Sequence, residues 1–212
     1  MNQKKSDISR TQILDAAAKL FRKHGYATTT LRLIANEANL KAGSIYYYFG
    51  SKEEILGEVL DIGIQRIIQA IQDGINQLPA NATALDKIRV AIREHLHTLL
   101  KYGDYTSANI RIYKQIPSNV RQKHRALRRT YAEEWDQLLN DAQAQGEIRK
   151  EVDITLLRLF LLGAMNSAAE WYNPKRGKLE PLFEAVTEFF FNGIKSIPDK
   201  RQDDHMLDRE LP

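Results

Sequence analysis

From Ile13 onward the apolar residues of this chain recur every three or four positions, and no segment alternates apolar with polar residues over a strand length. That period belongs to helices burying one face, so the expected fold is all-α. Ile13, Ala16, Ala17, Leu20 and Phe21 mark a first helix, capped by Ser9 or Thr11 and ended by His24-Gly25. A short helix follows Thr28–Thr30, and another spans about 43–48. A long helix begins at Ser51, carries Ile55, Val59, Ile62, Ile67, Ile68, Ile71 and Ile75, and ends near Leu78-Pro79. Five more are expected at about 84–102, 105–115, 118–144, 153–172 and 179–196, punctuated by Pro117, Gly146, Asn173-Pro174 and Gly177, for about nine in all. Asp153 offers an N-cap to the fourth of these. From Pro198 the chain is charged, lacks an apolar stripe and is expected to be disordered.

Charge singles out one end. Residues 1–56 hold nine Lys or Arg against five Asp or Glu, and this accounts for the whole net charge of +4. A basic module on a neutral body suits a polyanionic partner. The absence of cysteine excludes disulfides and thiolate metal sites. No apolar run reaches the roughly 18 residues of a membrane helix, and residues 1–10 are too polar for a secretory signal. A cytoplasmic protein is expected.

The segment from Thr28 to Leu56 has the pattern of two short helices meeting at a turn. Thr29 is positioned to cap a helix that buries Leu33 or Ile34 with Ala35 and Ala38. Asn39 suits the left-handed backbone of the turn, and Leu40 plugs the angle. Gly43 opens the second helix, whose inner side carries Ile45 and Phe49. Tyr46, Tyr47 and Tyr48 follow in succession, and at about 100° per residue they cannot all face one core. With Lys41 and Ser44 they give an outer surface of hydroxyls and a cation, suited to sugar, phosphate and thymine methyl. Lys52 opens the next helix, whose free N–H groups also suit a phosphate. Lys4, Lys5 and Arg10 form a basic arm, either a solvated tail or a minor-groove contact.

These residues resemble the TetR family of one-component regulators. The match runs through Ile13-Leu14-Asp15-Ala16-Ala17, Leu20-Phe21, Gly25-Tyr26, Thr29, Leu31-Arg32, Ile34-Ala35, Ala38, Gly43 to Phe49 and Ser51-Lys52-Glu53. The resemblance implies a DNA-binding domain at 8–56 with a linking helix to about 78. It also implies a ligand-binding and dimerisation domain at 79–197, preceding the tail at 198–212. It implies base contacts from Gly43 and Tyr46, and phosphate contacts from Thr29, Tyr47, Tyr48 and Lys52. Lys41, Ala42 and Ser44 complete the surface. Lys41 stands where the family commonly has a capping hydroxyl. Asn39 replaces a common Gly, and Leu33 a common acid.

The resemblance further implies a dimer built on the last two helices, a palindromic operator, and release by a small effector. Gly163, Ala164 and Ala168 allow close helix approach, and Phe183, Val186 and Phe190 supply apolar surface. The stretch Gly163–Pro174 is loosely similar to regulators that sense acyl-CoA thioesters. Asn166 and Glu170, four apart, share a helix face, as do Tyr131 and Trp135. With His95, Leu99, Ile112, Tyr113 and Trp171 they are the candidate pocket, and the same residues would also make an ordinary core. Arg121, Lys123, Arg125, Arg128 and Arg129 are either a solvated face or a grip on coenzyme A phosphates. A buried Glu170 would instead favour a cationic, drug-like effector, and a ligand-independent DNA-binding module is a further alternative. An enzyme is not expected. His95 and His97 point about 200° apart on a helix, and no phosphate loop or nucleophile elbow occurs. No metal or cofactor is expected beyond the effector.

Overall fold

The computed structural model describes residues 2–194 apart from 102, 174 and 176, with residues 2–7 and 114 described by backbone alone. The expected tail at 198–212 and the side chains of Lys4 and Lys5 therefore lie outside the described residues.

The described elements are helical: α1 Asn2–His24, α2 Leu31–Glu37, α3 Lys52–Asn76, α4 Ala84–Lys101, α5 Gly103–Arg111, α6 Ser118–Ala144, α7 Ile154–Trp171 and α8 Glu180–Ile194. A 3-10 helix, Ala42–Tyr47, lies between α2 and α3, and a second 3-10 turn, Tyr113–Gln115, follows α5. The all-α expectation holds. The first helix differs: it starts at Asn2, so neither Ser9 nor Thr11 caps it. Nothing between Asn2 and Thr11 breaks a helix, and a capping residue within a run of tolerated residues need not start one.

Capping fixes the other boundaries. Ser51 accepts from Glu54 N–H at 3.1 Å while the Glu54 carboxylate accepts from Gly50 N–H at 2.7 Å, tying both sides of the α3 start. Asp153 accepts from Leu156 N–H at 2.9 Å and starts α7, as its position in the sequence suggested.

Two apolar clusters organise the molecule. The first joins α1, α2, the 3-10 helix and the first half of α3 around Phe21, Ile34, Ile45, Phe49 and Leu56. It also takes Tyr105 and Ala108 from α5 and Ile112 just after it, so this core draws on residues beyond the expected DNA-binding unit. The second joins the rest of α3 to α4, α6, α7 and α8 around Ile92, Leu96, Trp135, Leu139 and Met165. Helix α3 belongs to both. Where α5 crosses it, a Cβ on Gly63 would lie 2.5 Å from the Tyr105 carbonyl, so glycine is required for that approach. Polar ties accompany it. Tyr105 donates to Asp15 on α1 at 2.7 Å, and Arg22 pairs with Asp104 at 2.5 Å.

Candidate nucleic-acid interface and ligand cavity

The turn after α2 is closed by its own backbone. Asn39 has φ 56, Asn39 N–H donates to Asn36 O at 3.1 Å, and Leu40 N–H donates to Ala35 O at 2.9 Å. This is the Schellman arrangement, with Asn in the left-handed position and Leu40 packed against the core behind it. Ile34 is buried and Leu33 is exposed, which decides between the two.

The three threonines before α2 divide their work differently from the expectation. Thr30 is the cap, accepting from Leu33 N–H at 3.2 Å. Thr29 is fully buried and donates its hydroxyl to Gly25 O at 2.7 Å. Its side chain is therefore turned away from any phosphate. The hydroxyl nearest the exposed end of α2 is that of Thr30, beside the exposed Arg32. Three adjacent threonines read alike in sequence, and the carbonyl of Gly25, a partner four residues back, decides among them.

Lys41 precedes the 3-10 helix without a side-chain capping bond, consistent with the missing hydroxyl. Ile45 and Phe49 anchor the helix inward. Tyr46 is 65% exposed and Tyr47 88%, while Tyr48 is half-buried against the core. Lys41, Ala42 and Gly43 are exposed beside them and Ser44 is partly so. A Cβ on Gly43 would meet nothing within 4 Å, and its φ is not positive. The fold itself gives no reason for glycine there.

Lys52 is more committed than expected. Its ammonium donates to Tyr26 O at 3.0 Å and Thr29 O at 2.8 Å and lies 4.0 Å from the centre of the Tyr26 ring. It clamps the loop before α2, and two of its three N–H donors are used internally. Tyr26 also donates to Glu53. Burial, then that bond, pushes the phenol above its ordinary value, while the same bond holds the Glu53 carboxyl below its own.

In the other half, α3 to α7 enclose a cavity of about 380 Å³. Of the expected pocket residues, His95, Tyr113, Tyr131 and Asn166 line it. Leu99 and Ile112 are buried within the packing and do not line it. Trp135 is buried edge-on to His95, ring centres 6.3 Å apart, and faces a separate shallow depression with Ile71 and Leu138. Glu170 and Trp171 are corrections. Glu170 is exposed and pairs with Arg111 at 3.6 Å, and Trp171 is exposed with its indole N–H donating to Ser167 Oγ. Glu170 shares a face with Asn166 but sits one turn further along α7, beside the last residue of α5, where the cavity wall ends.

The cavity wall contains polar residues that periodicity did not single out. Thr106 donates to the Leu99 carbonyl at 3.2 Å. Asn109 donates to Leu60 O at 2.9 Å and faces His124 Nε2 at 3.0 Å, while His124 Nδ1 faces Asp61 at 2.5 Å. Arg158 lines the wall and pairs with Asp136 at 2.6 Å. Arg128, from the basic run on α6, lines the rim with its guanidinium 4.7 Å from the Tyr113 ring centre. Burial lowers the His95 imidazole to about 4, against the pull of its bond to Asn166.

The outward faces of α7 and α8 differ from the expected selection. Leu157, Leu161, Met165 and Ala168 form the inward stripe of α7, so Ala168 serves its own chain's core. Gly163 and Ala164 are exposed, alongside Leu156, Leu159 and Phe160. On α8, Phe183, Val186 and Phe190 are half-buried against the second core, and Phe189 is 77% exposed.

Known proteins carry the same arrangement. Residues 13–59 match the bacterial regulatory proteins of the tetR family, and residues 81–194 match the tetracyclin repressor-like C-terminal domain. The chain is 29% identical over 187 residues to the fatty acid metabolism regulator protein of Bacillus subtilis strain 168, covering 86% of this chain and 94% of that protein. It is also 29% identical over 170 residues to the HTH-type transcriptional repressor KstR2 of Rhodococcus jostii strain RHA1, covering 78% and 80%. The crystal structure of PfmR, a TetR family transcriptional regulator from Thermus thermophilus, superposes with a TM-score of 0.75 at 26% identity, covering 87% of this chain and 99% of that one. AibR, solved in complex with isovaleryl coenzyme A and operator DNA, shares the fold at TM-score 0.74 and 20% identity, covering 88% and 98%.

Proposed function

The chain belongs to the TetR family of bacterial regulatory proteins, and we propose that it is a cytoplasmic repressor that binds a near-palindromic operator as a homodimer and releases it when an acyl-CoA thioester fills the cavity. The observation that carries the DNA reading is the outer face of the 3-10 helix. Tyr46 and Tyr47 stand in solvent, and Gly43 beside them answers to no neighbour in the fold. Such a face fits contacts made outside the chain, with Gly43 and Tyr46 against base edges and Lys41, Ser44 and Tyr47 toward the sugar-phosphate backbone. Thr30 and Arg32 take the phosphate role first assigned to Thr29, and Lys52 acts chiefly by fixing the loop that carries them. Tyr48, packed inward, supports the helix from behind.

Two such faces must reach half-sites roughly 34–36 Å apart, which requires a dimer. Leu156, Phe160 and Phe189, with the exposed small residues Gly163 and Ala164, support an interface on the last two helices, since exposed large apolar groups favour a partner. The half-buried Phe183, Val186 and Phe190 flank it.

Arg128 in the cavity wall, with no carboxylate among the described lining residues and with Arg158 already paired to Asp136, supports an effector that is anionic or rich in hydrogen-bond acceptors. The names of the Bacillus subtilis relative and of the AibR complex agree with an acyl-CoA. The cationic alternative rested on a buried Glu170, and that residue is exposed. The cavity also favours a sensor over a ligand-independent module.

Besides α3, the turn Tyr113–Gln115 also links the two halves. Tyr113 lines the cavity, and two residues on Gln115 Oε1 accepts from Tyr26 N–H at 2.9 Å and Ala27 N–H at 3.3 Å, in the loop that leads into α2. An effector that moves Tyr113 thereby shifts a direct support of the DNA-binding unit, the differential contact that release requires. The test selects DNA from a random pool with the purified protein, then adds octanoyl-CoA. The reading expects a near-palindromic site bound less tightly as salt rises, and released by the thioester. Failure to enrich any sequence overturns the repressor reading, and enrichment with no release by acyl-CoA thioesters overturns the effector.

A further inference from the structure

The inner end of the cavity carries a hydrogen-bond chain whose direction follows from its members. Asn166 Oδ1 only accepts, so His95 donates its Nε2 proton to it, at 3.2 Å. His95 is almost wholly buried and neutral, which leaves a lone pair at Nδ1. The Tyr131 hydroxyl must therefore donate to Nδ1, at 2.5 Å. Each member orients the next, and the chain ends at the Asn166 amide, whose two Nδ2 protons meet no acceptor among the described residues. On this part of the wall the chain therefore leaves unpaired donors rather than unpaired acceptors.

Ile64, Ile67 and Leu162 also line the cavity, Leu162 one turn before Asn166 on α7. In an empty cavity water would be the partner of the Nδ2 donors. A saturated hydrocarbon chain would expel that water and leave the donors bare, whereas an oxygen on the ligand would replace it. The rim differs: Arg128 is exposed there, and His95 is not. An acyl group seated at the His95 end would leave its pantetheine arm at the Arg128 rim and its coenzyme phosphates outside the cavity.

We propose that His95, Tyr131 and Asn166 select an acyl group that carries a hydroxyl or keto oxygen of its own, with the Asn166 amide as the donor that reads it. The proposal rests on the acyl-CoA reading for the rest of the ligand. Asn166 is the residue in contact, and His95 and Tyr131 are positioning residues that fix which way its amide faces.

The test is calorimetric titration of the full chain with octanoyl-CoA, its β-keto derivative and its ω-hydroxy derivative, and with the three corresponding free acids. At least one oxygenated thioester should bind about tenfold or more tighter than octanoyl-CoA, the scale of one unpaired buried donor. That preference should vanish in Asn166→Leu, and in Asn166→Asp, which keeps the shape while exchanging donors for acceptors and serves if the leucine variant does not fold. Equal or tighter binding of octanoyl-CoA by the unaltered chain, or a preference that survives both variants, overturns the proposal and leaves the acyl-CoA reading standing. If only free oxygenated acids bind, with the same dependence on Asn166, the proposal stands and the coenzyme reading falls. If none of the six probes binds, both fall.

Discussion

The two halves of this chain bury their polar groups in different ways. Around α1, α2 and the 3-10 helix the interior is tightly packed and largely aliphatic and aromatic, and Phe21, Ile34, Ile45 and Ile55 have no exposed surface at all. Between α3 and α7 the interior keeps a cavity and holds His95, Thr106, Asn109 and Asn166 in its wall. A rigid unit that presents one fixed face needs no internal space. A unit that must respond to a ligand needs space and groups whose partners can change.

The largest test of that contrast is a pair of truncations. Phe49→Ala opens a void in the closed core and should cost about 3–5 kcal/mol, whereas Leu162→Ala, beside space already empty, should fall at or below the low end, about 2 kcal/mol, of the range for buried leucines. Urea unfolding of both variants checks this, and equal losses would break the contrast. Next is the buried histidine. With its folded-state value near 4 and an ordinary value near 6.5, His95 lets the unfolded chain bind the extra proton within that window. Stability is then full above about pH 6.5 and falls as pH drops toward 4, by up to about 3 kcal/mol. His95→Gln should flatten that part of the profile relative to the unaltered chain, and an unchanged slope would contradict the assignment.

Lys52→Ala should cost about 2 kcal/mol, because two charged hydrogen bonds to the Tyr26 and Thr29 carbonyls are lost. Thermal unfolding measures that directly, and a neutral result would return Lys52 to a purely external role. The smallest stability effect belongs to Gly43→Ala, within about 0.5 kcal/mol, since its added Cβ meets nothing. A large loss would show that the glycine serves the fold after all.

The closed half was the more legible in sequence, for a physical reason. Its geometry follows from local rules: Asn39 in the left-handed position, Leu40 behind the turn, and Ile45 and Phe49 four apart on the inner side. Reading failed where a partner distant in sequence decides. Lys52 looked free until the carbonyls of Tyr26 and Thr29 came beside it. Glu170 shared a helix face with Asn166 in sequence, yet α5 ends beside it, and its neighbour Trp171 is exposed as well. Ala168 has the small size expected of an interface residue, but the register of α7 turns it inward. Periodicity tells which residues share a face, whereas the neighbouring helix determines how far along that face the cavity extends.

The central claim is that the exposed face of the 3-10 helix reads DNA while the core behind it only holds that face in place. Selection from random DNA, run in parallel with the unaltered chain and Tyr46→Ala, tests it most directly, with thermal unfolding of both proteins as the control. The account predicts a near-palindromic consensus for the unaltered chain. For Tyr46→Ala it predicts a relaxed preference at specific positions of each half-site, with unfolding unchanged. An identical consensus from both proteins at equal affinity would contradict it.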